Sequence, residues 1–192
     1  MLKKTMTAIA LVAAMASGVS AQAATNDNYG TLLSGDFTPA SSFATLSYNN
    51  IGNVYCFTLT ANDLNALFTN KAFIGSIAVD ADAKATVSSV LGDSPVSYKN
   101  GGGPGGIYDF RFDLFQGQDR LTANESVSWT ATFNGPVELN SKSFALHVQG
   151  LTDAQGGSAW YTVSAVPEAD TYAMLALGLG VLGFASRRRK VQ

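Results

Sequence analysis

Apolar residues recur at every second position in four stretches of the chain. Between 107 and 115, Tyr108, Phe110, Phe112 and Leu114 alternate with Asp109, Arg111 and Asp113. Between 126 and 133, Val127, Trp129, Ala131 and Phe133 alternate with four Ser and Thr residues. From 143 to 148, Phe144, Leu146 and Val148 stand against Ala145 and His147; from 53 to 60, Tyr55, Phe57 and Leu59 stand against Val54, Cys56 and Thr58. A period of two belongs to a strand with one buried face. Weaker runs of the same kind predict strands at 42–48, 73–79, 84–91 and 158–166. The run 84–91 loses parity between Val87 and Val90, which predicts a bulge. One helical turn is expected at 62–68, with Asn62 as its cap and Leu64, Leu67 and Phe68 on one face.

About eight short strands separated by Gly, Asn and Asp turns predict an all-β domain, arranged as an antiparallel β-sandwich. A small β-barrel is the alternative. An outer-membrane barrel fits less well, because it needs longer strands with an outward apolar band and a polar lumen.

Both ends break this pattern. Lys3 and Lys4 precede a short apolar run and the small-residue exit Ala21-Gln22-Ala23. That layout predicts a signal peptide over 1–23, cleaved at the Ala-x-Ala site formed by Ala21 and Ala23, and therefore handling by the Sec export machinery and signal peptidase. The expected domain is then 24–165, enough chain for one core. Lys3, Lys4, Arg187, Arg188, Arg189 and Lys190 hold six of the twelve basic residues, whereas Glu168 and Asp170 hold two of the fourteen acids. The middle carries twelve acids against six bases, a net charge of −6 against −2 for the whole chain. Such a surface repels phosphate backbones, so nucleic acid is not an expected partner.

From Val166 the composition changes again. Val166-Pro167-Glu168 is followed by a spacer, an apolar run at 172–185, and Arg187, Arg188, Arg189 and Lys190. As a helix, about fourteen residues span about 21 Å, short of the ~30 Å hydrocarbon core. Its basic end makes a strong cytoplasmic stop. Such a tail suits a temporary hold in the membrane better than a permanent anchor.

These parts in this order, over 166–190, resemble the PEP-CTERM sorting domain, whose members are substrates of exosortase in Gram-negative bacteria that also make exopolysaccharide. The sorting-signal residues are Val166, Pro167, Glu168, Arg187, Arg188 and Arg189; Ala169 stands where the family usually has a second proline. Ile51-Gly52-Asn53-Val54-Tyr55 is similar to the FxDxF strand of one PEP-CTERM subfamily, with Ile51, Asn53 and Tyr55 at the named positions. The resemblance implies an exosortase-like processing enzyme as partner, extracellular polysaccharide as a further one, and no catalytic activity.

The remaining chemistry is thin. Cys56 is the only cysteine, which excludes an internal disulfide, and its apolar neighbours predict a buried thiol. His147 is the only histidine and is expected to face solvent, so neither a Ser-His-Asp triad nor a His-rich metal site is expected. Asp109, Arg111 and Asp113 form either a solvated face of opposite charges or a carboxylate face for sugar hydroxyls or calcium, with Tyr98 and the glycine loop 101–106 nearby. Asp80 and Asp82 have the spacing of a calcium loop but lack its glycine and distal Glu. The glycine loop itself reads as a hairpin connection, since no Lys-Ser/Thr or helix follows it. Trp129 is expected in the core, while Trp160, Tyr161 and Tyr172 remain open between packing and stacking on sugar. A hydrolytic pair such as Asp109 with Glu125 is the weakest alternative. The sequence therefore predicts an exported, non-enzymatic surface or matrix protein without a cofactor, or alternatively a carbohydrate- or calcium-binding module.

Overall fold

The structure is a computed structural model that describes residues 23–69 and 71–164. The predicted signal peptide with Ala21, and the tail with Val166, Pro167, Glu168, Tyr172, Arg187, Arg188 and Arg189, lie outside these described residues; Ala23 lies inside them and is exposed.

Among the described residues twelve strands follow one another: β1 (Thr25–Ser34), β2 (Ala44–Ile51), β3 (Val54–Ala61), β4 (Phe73–Val79), β5 (Ala85–Gly92), β6 (Ser97–Gly102), β7 (Tyr108–Asp113), β8 (Phe115–Gln116), β9 (Asp119–Arg120), β10 (Ser126–Phe133), β11 (Phe144–Gln149) and β12 (Ser158–Val163). Ten form one antiparallel sheet in the order β5-β10-β3-β2-β1-β12-β11-β4-β7-β6, and β8 pairs with β9 in a small hairpin. The two edges, β5 and β6, are consecutive in the chain and lie in contact. The sheet thus curls into a nearly closed barrel, the alternative to a two-layered sandwich. Closure hides edge backbone that an open ten-stranded sheet would expose.

Inward positions fill the barrel with aromatic rings. Phe57 stacks on Trp129 at 5.1 Å between centroids and meets Phe112 and Phe144 at 5.9 Å. Trp129 is 2% exposed, as its strand parity predicts.

Three local features differ from expectation and a fourth follows it. β1 and β6 have no clean alternation: β1 turns Asp27 inward, where Oδ1 accepts the Ser141 hydroxyl at 2.6 Å. The stretch 107–115 is not one strand: β7 ends at Asp113 and β8 starts at Phe115, although the Leu114 N–H between them still donates to the Gly75 carbonyl, in register with the β4 ladder. The helix α1 (Leu64–Leu67) is capped by Asp63, not Asn62; the Asp63 carboxylate accepts from the N–H groups of Asn65 and Ala66, while Asn62 donates to the Ser42 carbonyl. The expected bulge in β5 is present: its register with β10 shifts between Ser128 and Thr130, and Ser89 takes a φ of 52°.

Candidate functional site

β12, β11, β4 and β7 lie side by side, and their register puts Trp160, His147, Ser76 and Asp113 in one lateral row on the outer wall. Adjacent strands are about 4.8 Å apart, so each member of the row is a cross-strand neighbour of the next. The His147 and Trp160 rings stack with centroids 4.3 Å apart and planes 4° from parallel. Nδ1 of His147 lies 3.2 Å from the Gln149 amide nitrogen. Burial pushes the imidazole down to about 4, with the Arg111 charge adding to this and Asp113 opposing it. His147 is therefore neutral at pH 7. It faces away from the core, as expected, but is half-buried rather than open to solvent.

Arg111 donates from Nε to Asp113 Oδ1 at 2.6 Å and from Nη1 to the Gly101 carbonyl at 3.1 Å. The second bond fastens the glycine loop to the wall. That loop joins β6 to β7, as expected of a hairpin connection, through a short 3-10 turn at Pro104–Gly106. Gly103 has a φ of 72°, and a Cβ there would lie 2.2 Å from Cδ2 of Tyr108 and 3.0 Å from Cβ of Ala78. Only glycine lets the loop lie this close. Beneath it, Ala78, Tyr108 and Ala145 form a second buried cluster outside the barrel, with Trp160 packed against them. A cavity of about 290 Å³ remains between the loop, the ion pair and the His147–Trp160 stack. Ser76, 4% exposed, also lines it.

The wall leads directly to the end of the domain. The Ser164 N–H donates to the Asn28 carbonyl at 2.6 Å, and its hydroxyl lies 3.1 Å from that of Ser42. Ala165 comes next.

Residues 165–190 match the PEP-CTERM protein-sorting motif. The match coincides with the tail read from Pro167, Glu168 and the arginine cluster. The PEP-CTERM motif implies an exported protein, processed by exosortase and sorted to the cell surface. No curated protein matches the chain.

In the domain that precedes this motif the other candidate residues are dispersed. Cys56 is exposed, correcting the expectation of a buried thiol: its parity on β3 sets it outside with Val54 and Thr58, and parity overrides its apolar neighbours. Asp109 accepts from the Ala81 N–H at 2.9 Å, and Glu125 accepts from the Thr122 N–H and hydroxyl. Asp109 sits at the barrel end where β10 finishes, and Glu125 where it starts. Eight residues at about 3.3 Å each separate those ends, too far for a hydrolytic pair. Tyr98 packs its ring 5.1 Å from Phe110 and lines a cavity of about 310 Å³ together with Asp109. Tyr161 is core.

Tyr55, at the end of the FxDxF-like stretch, is buried and donates to the Val137 carbonyl at 2.9 Å. This bond ties down the 135–140 strap above a cavity of about 710 Å³. The asparagine amides lining that cavity are bonded to nearby backbone, Asn50 to Gly52 and Asn53 to Phe133. Among the described residues no group of three or more His, Cys, Asp or Glu could hold a metal ion, and no helix is long and apolar enough to cross a membrane. The sequence pointed to Arg111 and Asp113 as one face and to His147 and Trp160 separately. Ser76 and Gln149 went unnoticed, because only the strand order brings them to the others.

Proposed function

We propose that the chain is exported with a cleavable signal peptide and cut at its tag by an exosortase. The barrel then serves as a non-enzymatic component of the cell surface, associated with extracellular polysaccharide. The observation that carries this reading is the sorting motif, which begins one residue after the barrel's last wall contact at Ser164. From Ser164 to Pro167 the extended chain reaches only about 10 Å. A folded barrel is therefore held against the membrane until the tail is cut. Its net negative middle is soluble and repels acidic surfaces, which favours release once the basic tail is gone. The lone histidine stacks on a tryptophan and the carboxylates bond local amides, an arrangement that supports a structural or binding role over catalysis.

Intact mass measurement of secreted and membrane fractions tests the reading. The mature protein is expected to begin near Ala24 and to lack the segment from about Tyr172 onward. Neutral replacement of Arg187, Arg188, Arg189 and Lys190 removes the stop, so uncut precursor should pass through. Replacement of Pro167 and Glu168 should leave uncut precursor in the membrane, because anchoring survives while recognition is lost. Ala169→Pro should be neutral or improve cutting. Recovery of an intact C-terminus in the mature protein, from cells that contain an exosortase, would make the tail a plain membrane anchor.

A further inference from the structure

The cavity on the outer wall combines four properties. It is small: about 290 Å³ lies at the lower bound of small-molecule sites, room for one ring-sized unit rather than a folded partner. It converges planar polar groups, the Arg111 guanidinium, the Asp113 carboxylate and the Gln149 amide, each able to bond two neighbouring hydroxyls. Its charges cancel, since Arg111 and Asp113 are paired at 2.6 Å and no other charged residue lines it. One side is an aromatic wall, the His147 ring backed by Trp160, which offers an apolar face to ring C–H groups. The glycine backbone at 102 and 103 forms another side, with no side chain to close it.

Together these exclude the obvious charged ligands. A divalent cation needs several carboxylate or carbonyl oxygens, whereas this cavity has one carboxylate with a guanidinium on it. An anion would have to displace Asp113 from Arg111. A compact, uncharged, polyhydroxylated ring with one apolar face matches the paired charges, the Gln149 amide and the aromatic lining, to which Phe115 adds. We propose that this cavity is a subsite for one residue of a neutral polysaccharide, with Arg111, Asp113 and Gln149 bonding its hydroxyls and the His147–Trp160 stack packing on its ring face. This assignment rests on the proposed association with extracellular polysaccharide and gives that association an address on the barrel.

The test uses the mature secreted protein in affinity electrophoresis through gels containing the host's purified extracellular polysaccharide, with and without a calcium chelator. Saturation-transfer NMR against neutral hexoses locates the contact. Wild type should be retarded in both gels, with transfer to ring protons of at least one hexose. The double variant Arg111→Gln/Asp113→Asn keeps the cavity uncharged and should bind at least tenfold more weakly. Trp160→Ala should bind as weakly, and Ser128→Ala on the opposite side of the barrel should bind as wild type. Thermal melts identify any variant that fails to fold, and the double variant decides the matter if Trp160→Ala does. Retardation undiminished in the double variant would overturn the site while leaving the polysaccharide association standing. Retardation abolished by chelator would overturn the sugar assignment in favour of a cation. No retardation of wild type in any gel would remove the association and the subsite with it.

Discussion

The barrel has two contrasting walls. On β2, β3 and β10 the outward residues are Thr45, Ser47, Asn49, Val54, Cys56, Thr58, Thr60, Ser126, Ser128, Thr130 and Thr132, half-buried or exposed and without a charge. They bond one another across strands: Thr58 to Ser128 at 2.9 Å, and Thr45 to Asn28 on β1 at 2.7 Å. On β4, β7, β11 and β12 the corresponding positions carry Ser76, Ala78, Arg111, Asp113, Ala145, His147 and Trp160 beneath a folded-over glycine loop. All seven residues of β4 are buried. Both walls obey the same period of two. That period sets which residues leave the core, and the covering loop decides whether they meet water. On the covered wall the second covering encloses the cavity of about 290 Å³ between loop, ion pair and ring stack.

The largest effect should come from the core that both walls share. Trp129→Ala removes a ring stacked on Phe57 and should cost about 3–5 kcal/mol, because a packed barrel collapses poorly around a large cavity. Ser128→Ala, one residue along on the bare wall, loses one partly exposed hydroxyl pair and should cost under about 1 kcal/mol. Chemical denaturation of the two variants gives both numbers. Equal losses would show that β10 does not alternate as described.

The covered wall should also resist a single methyl group. Gly103→Ala forces a left-handed φ on alanine and drives its Cβ into the Tyr108 ring, for a cost of about 2–4 kcal/mol. Gly105→Ala has a similar φ of 73° but nothing within 4 Å, so strain alone applies, about 1–2 kcal/mol. A Gly103 variant as stable as the Gly105 variant would mean that the loop does not rest on the wall.

How much of this contrast was legible beforehand depended on strand order. The inward faces of β3, β7, β10 and β11 follow from alternation alone, because each pairs bulky apolar residues with short polar ones. β1 escaped notice since Thr25–Ser34 buries the polar Asp27 beside Tyr29 and its register with β12 then shifts twice, so no clean alternating run appears. β6 is an edge strand rich in Lys99, Asn100 and glycine, a composition that reads as loop. Sandwich and barrel differ only in whether β5 and β6 meet across the 93–96 link. One tie there is the Ser94 hydroxyl, which donates to the Leu114 carbonyl. Arg111 and Asp113 share a strand and were visible as a pair. Their neighbours Ser76, His147 and Trp160 come from three other strands, and local sequence carries no record of that pairing.

The walls should part again with pH. His147 is depressed in the folded chain to about 4 from an ordinary 6.5, so the unfolded chain takes up a proton first as pH falls. Its contribution is full above pH 6.5 and is lost progressively toward pH 4. The full shift corresponds to about 3 kcal/mol, reduced to about 2 by partial exposure. Thermal midpoints of wild type and His147→Gln between pH 7.5 and 4 should therefore converge on acidification. The outward residues named on the bare wall hold no charged group, so Thr58→Ala should shift the curve down without changing its slope. Parallel curves for wild type and His147→Gln would mean that the imidazole is solvated and the wall open.

The smallest expected effect concerns Cys56, where the walls make opposite demands. On the bare wall the thiol faces Asn49 and Thr130 across the two neighbouring ladders and is exposed. Serine replaces it there with a group that suits the surrounding hydroxyls. Cys56→Ser should therefore leave stability within about 0.5 kcal/mol, as for surface changes generally. A buried thiol would behave otherwise, since a hydroxyl placed in the core without a partner costs about 1–3 kcal/mol. Reactivity supplies an independent reading, because alkylation requires a thiolate that the reagent can reach. Native protein should be fully modified by a neutral maleimide at a rate close to that of the denatured chain. Protection by more than about tenfold, together with a clear loss of stability in Cys56→Ser, would turn β3 over and exchange its inner and outer faces. The hydroxyl wall would then be the one facing the core, which the ring stack of Phe57 on Trp129 does not permit.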